Sequence, residues 1–82
     1  MLVEPLRDDL IKYLRKHNIK KQYEKQAKLF EANPRHPSLN TETLEPKSLK
    51  IYSFRVTRKY RAIFIITDDN EVEVVDINLH YQ

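Results

Sequence analysis

The 82-residue chain is long enough for one domain with a modest hydrophobic core. It has no cysteine, which excludes disulfides and thiolate metal sites, and its three histidines (His17, His36 and His80) lack the spacing of metal ligands, so we expect no metal and no cofactor. No apolar run approaches the ~20 residues of a membrane span, and the N-terminus does not resemble a signal peptide. We therefore expect a cytoplasmic protein with no membrane partner.

The net charge of +3 is unevenly distributed along the chain. Acidic residues concentrate near the C-terminus, and a basic run occupies the first third. The basic run consists of Lys12, Arg15, Lys16, Lys20, Lys21, Lys25 and Lys28. Such a run favours a polyanion such as RNA or DNA, or an acidic protein, as a partner. A solvated helix face is the alternative interpretation.

The first part of the chain is predicted to form two helices. Leucines at helical spacing predict the first over 5–17, with Pro5 at its first helical position. A second apolar stripe ends before Pro34, because proline cannot continue a helix. The stripe residues are Leu6, Leu10 and Leu14, then Ile19, Tyr23, Ala27 and Phe30. Two short helices this close together form an antiparallel hairpin whose stripes must pack on another element.

The remainder is predicted to be an irregular connector followed by strands. Three prolines and many turn-forming residues mark 33–49 as ordered but irregular. Segments rich in Val, Ile, Tyr and Phe then predict three antiparallel strands over 51–57, 60–67 and 71–79. Residues 1–3 are a candidate fourth strand. The fold class is α+β, with the helical hairpin packed on a three- or four-stranded antiparallel sheet.

Alternation along the strands predicts which side chains share a face. Tyr52, Phe54 and Val56 fall on one face, whereas Arg55 falls on the other. Arg61 opens the second strand, and we expect the two arginines to meet a ligand on a partly open sheet face. Two local features are also predicted. A change of apolar phase after Val74 indicates a bulge in the last strand, and Asn70 is the expected left-handed turn residue, since the chain has no glycine.

A ribonuclease that works without metal needs a base, an acid and cations to stabilise a phosphorane. The chain offers Glu42 in the connector, Arg55 and Arg61 on the sheet, and His80 and Tyr81 at the end. Each also has an ordinary interpretation as an exposed acid, a strand-surface cation or a frayed tail. The residues alone leave both interpretations open.

The runs "NPRHPSL", "IYSFRVTRKYRAIF" and "TDD", a Val-rich strand and a terminal "HY" resemble the RelE/ParE superfamily of type II toxins. Within it, the chain is most similar to the YoeB-like branch of ribosome-dependent mRNA endoribonucleases. The resemblance implies the following roles: Glu42 as general base, His80 as general acid, Arg61 and Arg55 as phosphate and transition-state ligands, and Tyr81 as an orienting or stacking group. Ser53, Arg58 and Lys59 belong to the same strand motif and are expected to contribute to substrate binding.

Three functions remain open at this stage. The first is a toxin that cleaves mRNA on the ribosome by 2′-OH attack. The second is a ParE-like toxin of the same fold that inhibits DNA gyrase without catalysis, and the third is an inactive RNA-binding remnant. The expected partners are a cognate antitoxin, the ribosome and mRNA, and both a homodimer and a toxin–antitoxin hetero-oligomer are compatible with the sequence. The antitoxin is expected to cover the arginine-bearing sheet face or an exposed strand edge.

Overall fold

The computed structural model describes residues 1–79, which form two α-helices followed by a four-stranded sheet. The helices are α1, Asp8–Lys16, and α2, Lys20–Ala32. The strands are β1, Glu42–Thr43, β2, Tyr52–Arg55, β3, Tyr60–Ile66, and β4, Val72–Leu79. The predicted α+β class, the helical hairpin and the antiparallel sheet are confirmed. No helix within the described part of the chain is long and apolar enough to cross a membrane.

Helix α1 begins three residues later than predicted. Its N-cap is Arg7, in an extended conformation, so Pro5 does not occupy the first helical position. The reason lies just upstream, where Val3 forms a parallel bridge with Val72 and holds the chain extended up to Glu4. Asp8 and Asp9 occupy the first turn of α1, where negative charge stabilises the helix dipole.

Helix α2 ends where the sequence predicts, before Asn33 and Pro34. Its apolar stripe packs on the sheet: Tyr23 and Phe30 are buried, and the Phe30 ring lies 5.2 Å from the Phe64 ring and 5.5 Å from the Phe54 ring. The three rings form the centre of the core. The remaining buried apolar residues are Leu10, Leu14, Ile19, Leu39, Val56, Ala62, Val72, Val74 and Ile77.

The strands lie in the order β1-β2-β3-β4, and each pair is antiparallel. The predicted bulge in the last strand is confirmed. Phe64 pairs with Val74 and Ile63 pairs with Asp76, so Val75 is the extra residue on β4. The bulge keeps Val74 and Ile77, which are an odd number of positions apart, on the same buried face.

The fourth strand comes from the connector and not from the N-terminus. Glu42 and Thr43 pair with Ser53 and Tyr52, forming β1 at one edge of the sheet. Residues 1–3, the candidate fourth strand, contribute only the single bridge at Val3 on the opposite edge. Two residues of extended chain between turns carry too little alternation to be recognised as a strand from sequence.

Among residues 1–79, four adopt left-handed backbone conformations with positive φ. They are Asn18, Asn40, Lys50 and Asn70, with φ between 44° and 62°. Asn70 is the residue predicted for this role, and asparagine tolerates the conformation better than most residues. Lys50 was not anticipated, because nothing in its side chain favours a left-handed turn.

Candidate functional site on the sheet face opposite the helices

Four of the candidate site residues lie together on the face of the sheet that does not carry the helices. Directly paired residues of neighbouring strands share a face, and Glu42 pairs with Ser53. Two residues further along β2, Arg55 pairs with Arg61 of β3. Because side chains two positions apart in a strand share a face, all four belong to the same side of the sheet. The predicted assignment of Arg55 and Arg61 to one face is therefore confirmed.

Arg61 lies on the predicted face, which is partly open at Glu42 and Arg55, but its side chain is buried and not accessible there as expected. The residue is only 3% exposed, and its side chain runs across β2 toward the start of β1. Its Nε donates to the Ser53 hydroxyl at 2.9 Å, and its Nη2 donates to the Asn40 carbonyl at 2.6 Å and to the Ser53 carbonyl at 3.4 Å. These contacts fix the plane of the guanidinium and join β3 to the connector.

One nitrogen of Arg61 is left without a partner among residues 1–79. Its Nη1 is buried and has no hydrogen-bond partner among residues 1–79. Burial lowers the pKa of Arg61 below its ordinary value, whereas the nearby Glu42 carboxylate raises it and the Arg55 charge lowers it. Arg61 is thus within electrostatic reach of both residues, and its third nitrogen is unpartnered among residues 1–79 but enclosed by the protein.

The other predicted site residues near Arg61 differ in how far their side chains are exposed to solvent. Glu42 is exposed and forms no salt bridge with any residue in 1–79, whereas Ser53 is buried beneath the guanidinium. Arg55 is half-buried at the end of β2, and Arg58 and Lys59 are exposed in the turn that follows. The face therefore presents an acid at one side, a buried cation in the middle, and exposed cations at the turn.

His80 and Tyr81, the predicted acid and orienting group, lie outside the described residues. The last described residue, Leu79, pairs with Tyr60, which precedes Arg61. The Tyr60 hydroxyl lies 3.1 Å from His17 Nδ1, and the Tyr13 ring lies 4.3 Å from the His17 ring. This contact links the end of α1 to the start of β3. The position of His17 in the sequence did not predict it.

Sequence reasoning missed Gln26, which connects three parts of the fold. Its buried Nε2 donates to the Arg55 carbonyl at 2.9 Å and to the Ser38 carbonyl at 3.3 Å. One amide thus ties α2 to the end of β2 and to the connector on the way to β1. The signal was present, because Gln26 lies between Tyr23 and Phe30 at the spacing of the buried stripe.

Replacing Gln26 with leucine is expected to lower the free energy of unfolding by roughly 1–3 kcal/mol, since two buried carbonyls lose their donor. The measurement is urea unfolding followed by circular dichroism. Gln22→Leu, one turn earlier on the exposed side of α2, is the matched control. Equal losses in the two variants would show that the amide does not fix the connector.

The basic residues of the hairpin are on the surface. All are exposed except Lys20, which is half-buried and forms a 3.8 Å salt bridge with Glu24. Lys21, Lys25 and Lys28 share one side of α2 at i, i+4 and i+7 spacing. The side of α2 opposite the core is therefore a continuous cationic surface.

A groove of about 710 Å³ lies on the other side of the sheet, beside the end of α2. Tyr52 and Phe64 form part of its wall, and neither Arg55 nor Arg61 lines it. The acid and arginine cluster is thus distinct from this groove.

Within residues 1–79, no three His, Asp or Glu side chains converge as metal ligands.

Comparison with solved structures shows which fold the chain has. A YoeB/ParE toxin from Agrobacterium tumefaciens matches with a TM-score of 0.70 and 14% sequence identity, over 98% of this chain and 96% of that one. Two helices followed by an antiparallel sheet are thus the fold of that toxin, and this chain shares it.

The family assignment comes from the sequence itself. The family model described as "ParE toxin of type II toxin-antitoxin system, parDE" matches residues 6–82, so the chain belongs to this family. Membership implies a cognate antitoxin as partner. No curated protein sequence matches the chain significantly.

Proposed function

We propose that this toxin acts in the cytoplasm as a metal-independent endoribonuclease that cleaves mRNA on translating ribosomes. The observation that carries the proposal is the cluster on one sheet face, where strand pairing places Glu42, Arg55 and Arg61 on the same side and the charges of Glu42 and Arg55 both act on the Arg61 guanidinium. An exposed acid beside two cations is the combination that transesterification at a ribose phosphate requires.

The chemistry assigns one role to each group. Glu42 accepts the proton of a ribose 2′-OH, whose oxygen attacks the adjacent phosphorus. Arg55 and Arg61 stabilise the added negative charge of the phosphorane. The bond from phosphorus to the 5′-oxygen then breaks, and His80 gives that oxygen its proton. The products are a 2′,3′-cyclic phosphate and a 5′-hydroxyl, and Tyr81 orients or stacks on a base.

Arg61 enters this scheme through its one unpartnered nitrogen. Nε and Nη2 are already bound to Ser53 and Asn40, so the guanidinium is held in place before substrate arrives. Nη1 has no partner within residues 1–79 but is buried, and a phosphate oxygen reaches it only when the side chains above it shift. Arg55, Arg58 and Lys59 are more accessible and supply the first contacts with RNA.

A second candidate function is inhibition of DNA gyrase without catalysis. Two observations favour it: the matching family model is that of ParE toxins, and the Arg61 side chain is largely engaged in hydrogen bonds within the protein. A binding toxin of this kind has no need of Glu42 as a base. An inactive RNA-binding remnant is the remaining alternative.

The deciding experiment incubates the purified toxin with translating ribosomes and, separately, with gyrase in a supercoiling assay. We expect cleaved mRNA with 2′,3′-cyclic phosphate ends, lost in Glu42→Gln and retained in the matched control Glu45→Gln. Glu45 is also an exposed acid of the connector. Intact mRNA with inhibited gyrase would support the second candidate, and no effect in either assay would support the remnant.

The cationic surface of the hairpin is expected to bind ribosomal RNA without sequence preference. Replacing Lys21 and Lys25 with glutamate should weaken ribosome binding and flatten its dependence on salt, because fewer counterions are released. The control is Lys47→Glu with Lys50→Glu, an equal charge change on exposed connector residues. An unchanged salt slope in the hairpin variant would limit those lysines to a role in solubility.

A further inference from the structure

A cavity of about 470 Å³ lies where the N-terminal segment and α1 pack against α2. The wall contributed by α2 contains Tyr23, Ala27 and Glu31, which share one side of the helix because they are spaced four positions apart. Leu6 and Ile11 supply apolar surface from the side of α1. The cavity shares no lining residue with the groove beside the end of α2 or with the acid and arginine cluster. It is therefore a separate feature of the molecule.

The Tyr23 hydroxyl is buried at this cavity without a hydrogen-bond partner among residues 1–79. The residue is 6% exposed. Burial raises the pKa of the hydroxyl, and the charge of Glu31 raises it further, so the group stays protonated and lies within electrostatic reach of that carboxylate. A buried polar group destabilises the native state unless another group bonds to it. The hydroxyl is thus an unused hydrogen-bonding group at the wall of the cavity.

The Glu31 carboxylate is half-buried and has no cation to balance it within residues 1–79. Its Oε2 accepts a hydrogen bond from Val3 N at 2.8 Å. The lysines that line the cavity do not pair with it: Lys20 forms a 3.8 Å salt bridge with Glu24, and Lys28 is exposed. Because a partly buried carboxylate without a cation is destabilising, the cavity favours a positively charged ligand.

The two polar groups and the walls together define the chemistry of that ligand. An ammonium group has three N–H donors, and the Tyr23 oxygen and the Glu31 carboxylate can both accept from it. The apolar side chains of Leu6, Ile11 and Ala27 suit a chain of methylene groups. A divalent metal ion fits less well, because it needs about six oxygen ligands, and no three acidic or histidine side chains within residues 1–79 converge as ligands. The cavity therefore suits an alkylammonium group.

A second acid at the same cavity indicates a ligand with two positive charges. Glu4 also lines the cavity and follows directly on the residue whose N–H binds Glu31. Burial raises the pKa of Glu4, and the carboxylates of Glu71 and Glu73 raise it further. The Arg7 guanidinium interacts with Glu73, so the negative charge left for a ligand is that of Glu4 and Glu71. An aliphatic diamine can place one ammonium group at each of these two acidic positions.

We propose that this cavity binds an aliphatic diamine or polyamine. Glu31 and Tyr23 hold one ammonium group, the methylene chain lies between the helices, and the second ammonium group lies at Glu4. Since the ligand contacts α2, α1 and the N-terminal segment together, its binding stabilises the native packing of the hairpin. The proposal does not rest on the proposed function, because no residue of the acid and arginine cluster takes part.

The first test adds butane-1,4-diamine to the isotope-labelled toxin and follows the backbone amides by NMR. We expect saturable shifts at Tyr23, Ala27 and Glu31 and a higher Tm. Equal shifts with magnesium chloride would indicate charge screening and would overturn the proposal. N-acetyl-lysine N-methylamide, which has a single ammonium group, should bind at least about tenfold more weakly. Binding as tight as that of the diamine would assign the cavity to a lysine of a protein partner and would also overturn the proposal.

The second test changes the two groups that hold the ammonium. Glu31→Gln removes the charge but keeps an oxygen for Val3 N, and it should weaken diamine binding at least about tenfold. Tyr23→Phe should weaken it several-fold while leaving the Tm of the free toxin unchanged or higher, because the lost hydroxyl has no partner within residues 1–79. Glu45→Gln, an exposed acid of the connector, is the matched control. Affinity equal to that of the control in either variant would overturn the proposal, and Tyr23→Phe covers the case in which Glu31→Gln fails to fold.

Discussion

Replacing Arg61 with lysine is expected to slow mRNA cleavage on translating ribosomes by about 10²–10³-fold, the usual effect of losing one preorganised donor to a developing oxyanion. Lysine keeps the positive charge but loses the planar fork that holds Ser53 and Asn40 together. The same variant should lower the free energy of unfolding by roughly 1.5–3 kcal/mol, because a charge-assisted hydrogen bond in a buried site is lost.

Both quantities must be measured on the same preparation, by single-turnover cleavage and by urea unfolding. Arg35→Lys, an exposed arginine of the connector, is the matched control and should change neither. If Arg61→Lys is destabilised but cleaves at the parental rate, the buried guanidinium supports the fold only. Such a result would shift the phosphate-binding role to Arg55 and the turn cations.

His80→Gln is expected to slow cleavage by roughly 10²–10⁴-fold while leaving ribosome binding nearly intact. An imidazole has an ordinary pKa near ~6.5 and is partly protonated at neutral pH, and a bound phosphate favours its charged form. Glutamine keeps much of the size and hydrogen-bonding capacity of histidine but cannot exchange a proton at this pH. The loss should therefore appear in the chemical step and not in affinity.

The matched control for this prediction is His36→Gln. The His36 ring accepts a hydrogen bond from Ser38 N in the connector, and no role in proton transfer is proposed for it. Cleavage by His80→Gln at the parental rate would mean that the tail has a structural role and that the acid is Tyr81, Glu42 or a ribosomal group. Loss of ribosome binding together with cleavage would instead make His80 a docking residue.

Much of the fold was predictable because its apolar periodicity is strong. The stripe through Tyr23 and Phe30 specified the buried side of α2, and the change of phase after Val74 specified the bulge. The edges were less predictable. β1 is two residues long and the N-terminal bridge involves a single residue pair, and both depend on partners distant in sequence.

For the candidate site, the sequence predicted which face Arg55 and Arg61 share, but not that Arg61 is buried. Alternation assigns a side chain to a face, and it placed Arg55 and Arg61 on the same face correctly. Alternation does not reveal what covers that face. The burial of Arg61 depends on Ser53 beneath it and on the Asn40 carbonyl, which a left-handed turn directs toward the guanidinium. Neither contact has a sequence signature.

The backbone without glycine has a consequence for the unfolded chain. Of the four left-handed residues within 1–79, the three asparagines tolerate the conformation, whereas Lys50 costs the native state about 1–2 kcal/mol relative to glycine. A glycine at any of these positions would also enlarge the set of conformations open to the unfolded chain, and that freedom would be lost on folding. The absence of glycine therefore has two effects: it leaves backbone strain in the native state, and it lowers the conformational entropy of the unfolded chain. The entropy gained on unfolding is multiplied by the temperature, so lowering it stabilises the native state more as the temperature rises. This matters most for a chain whose core is small.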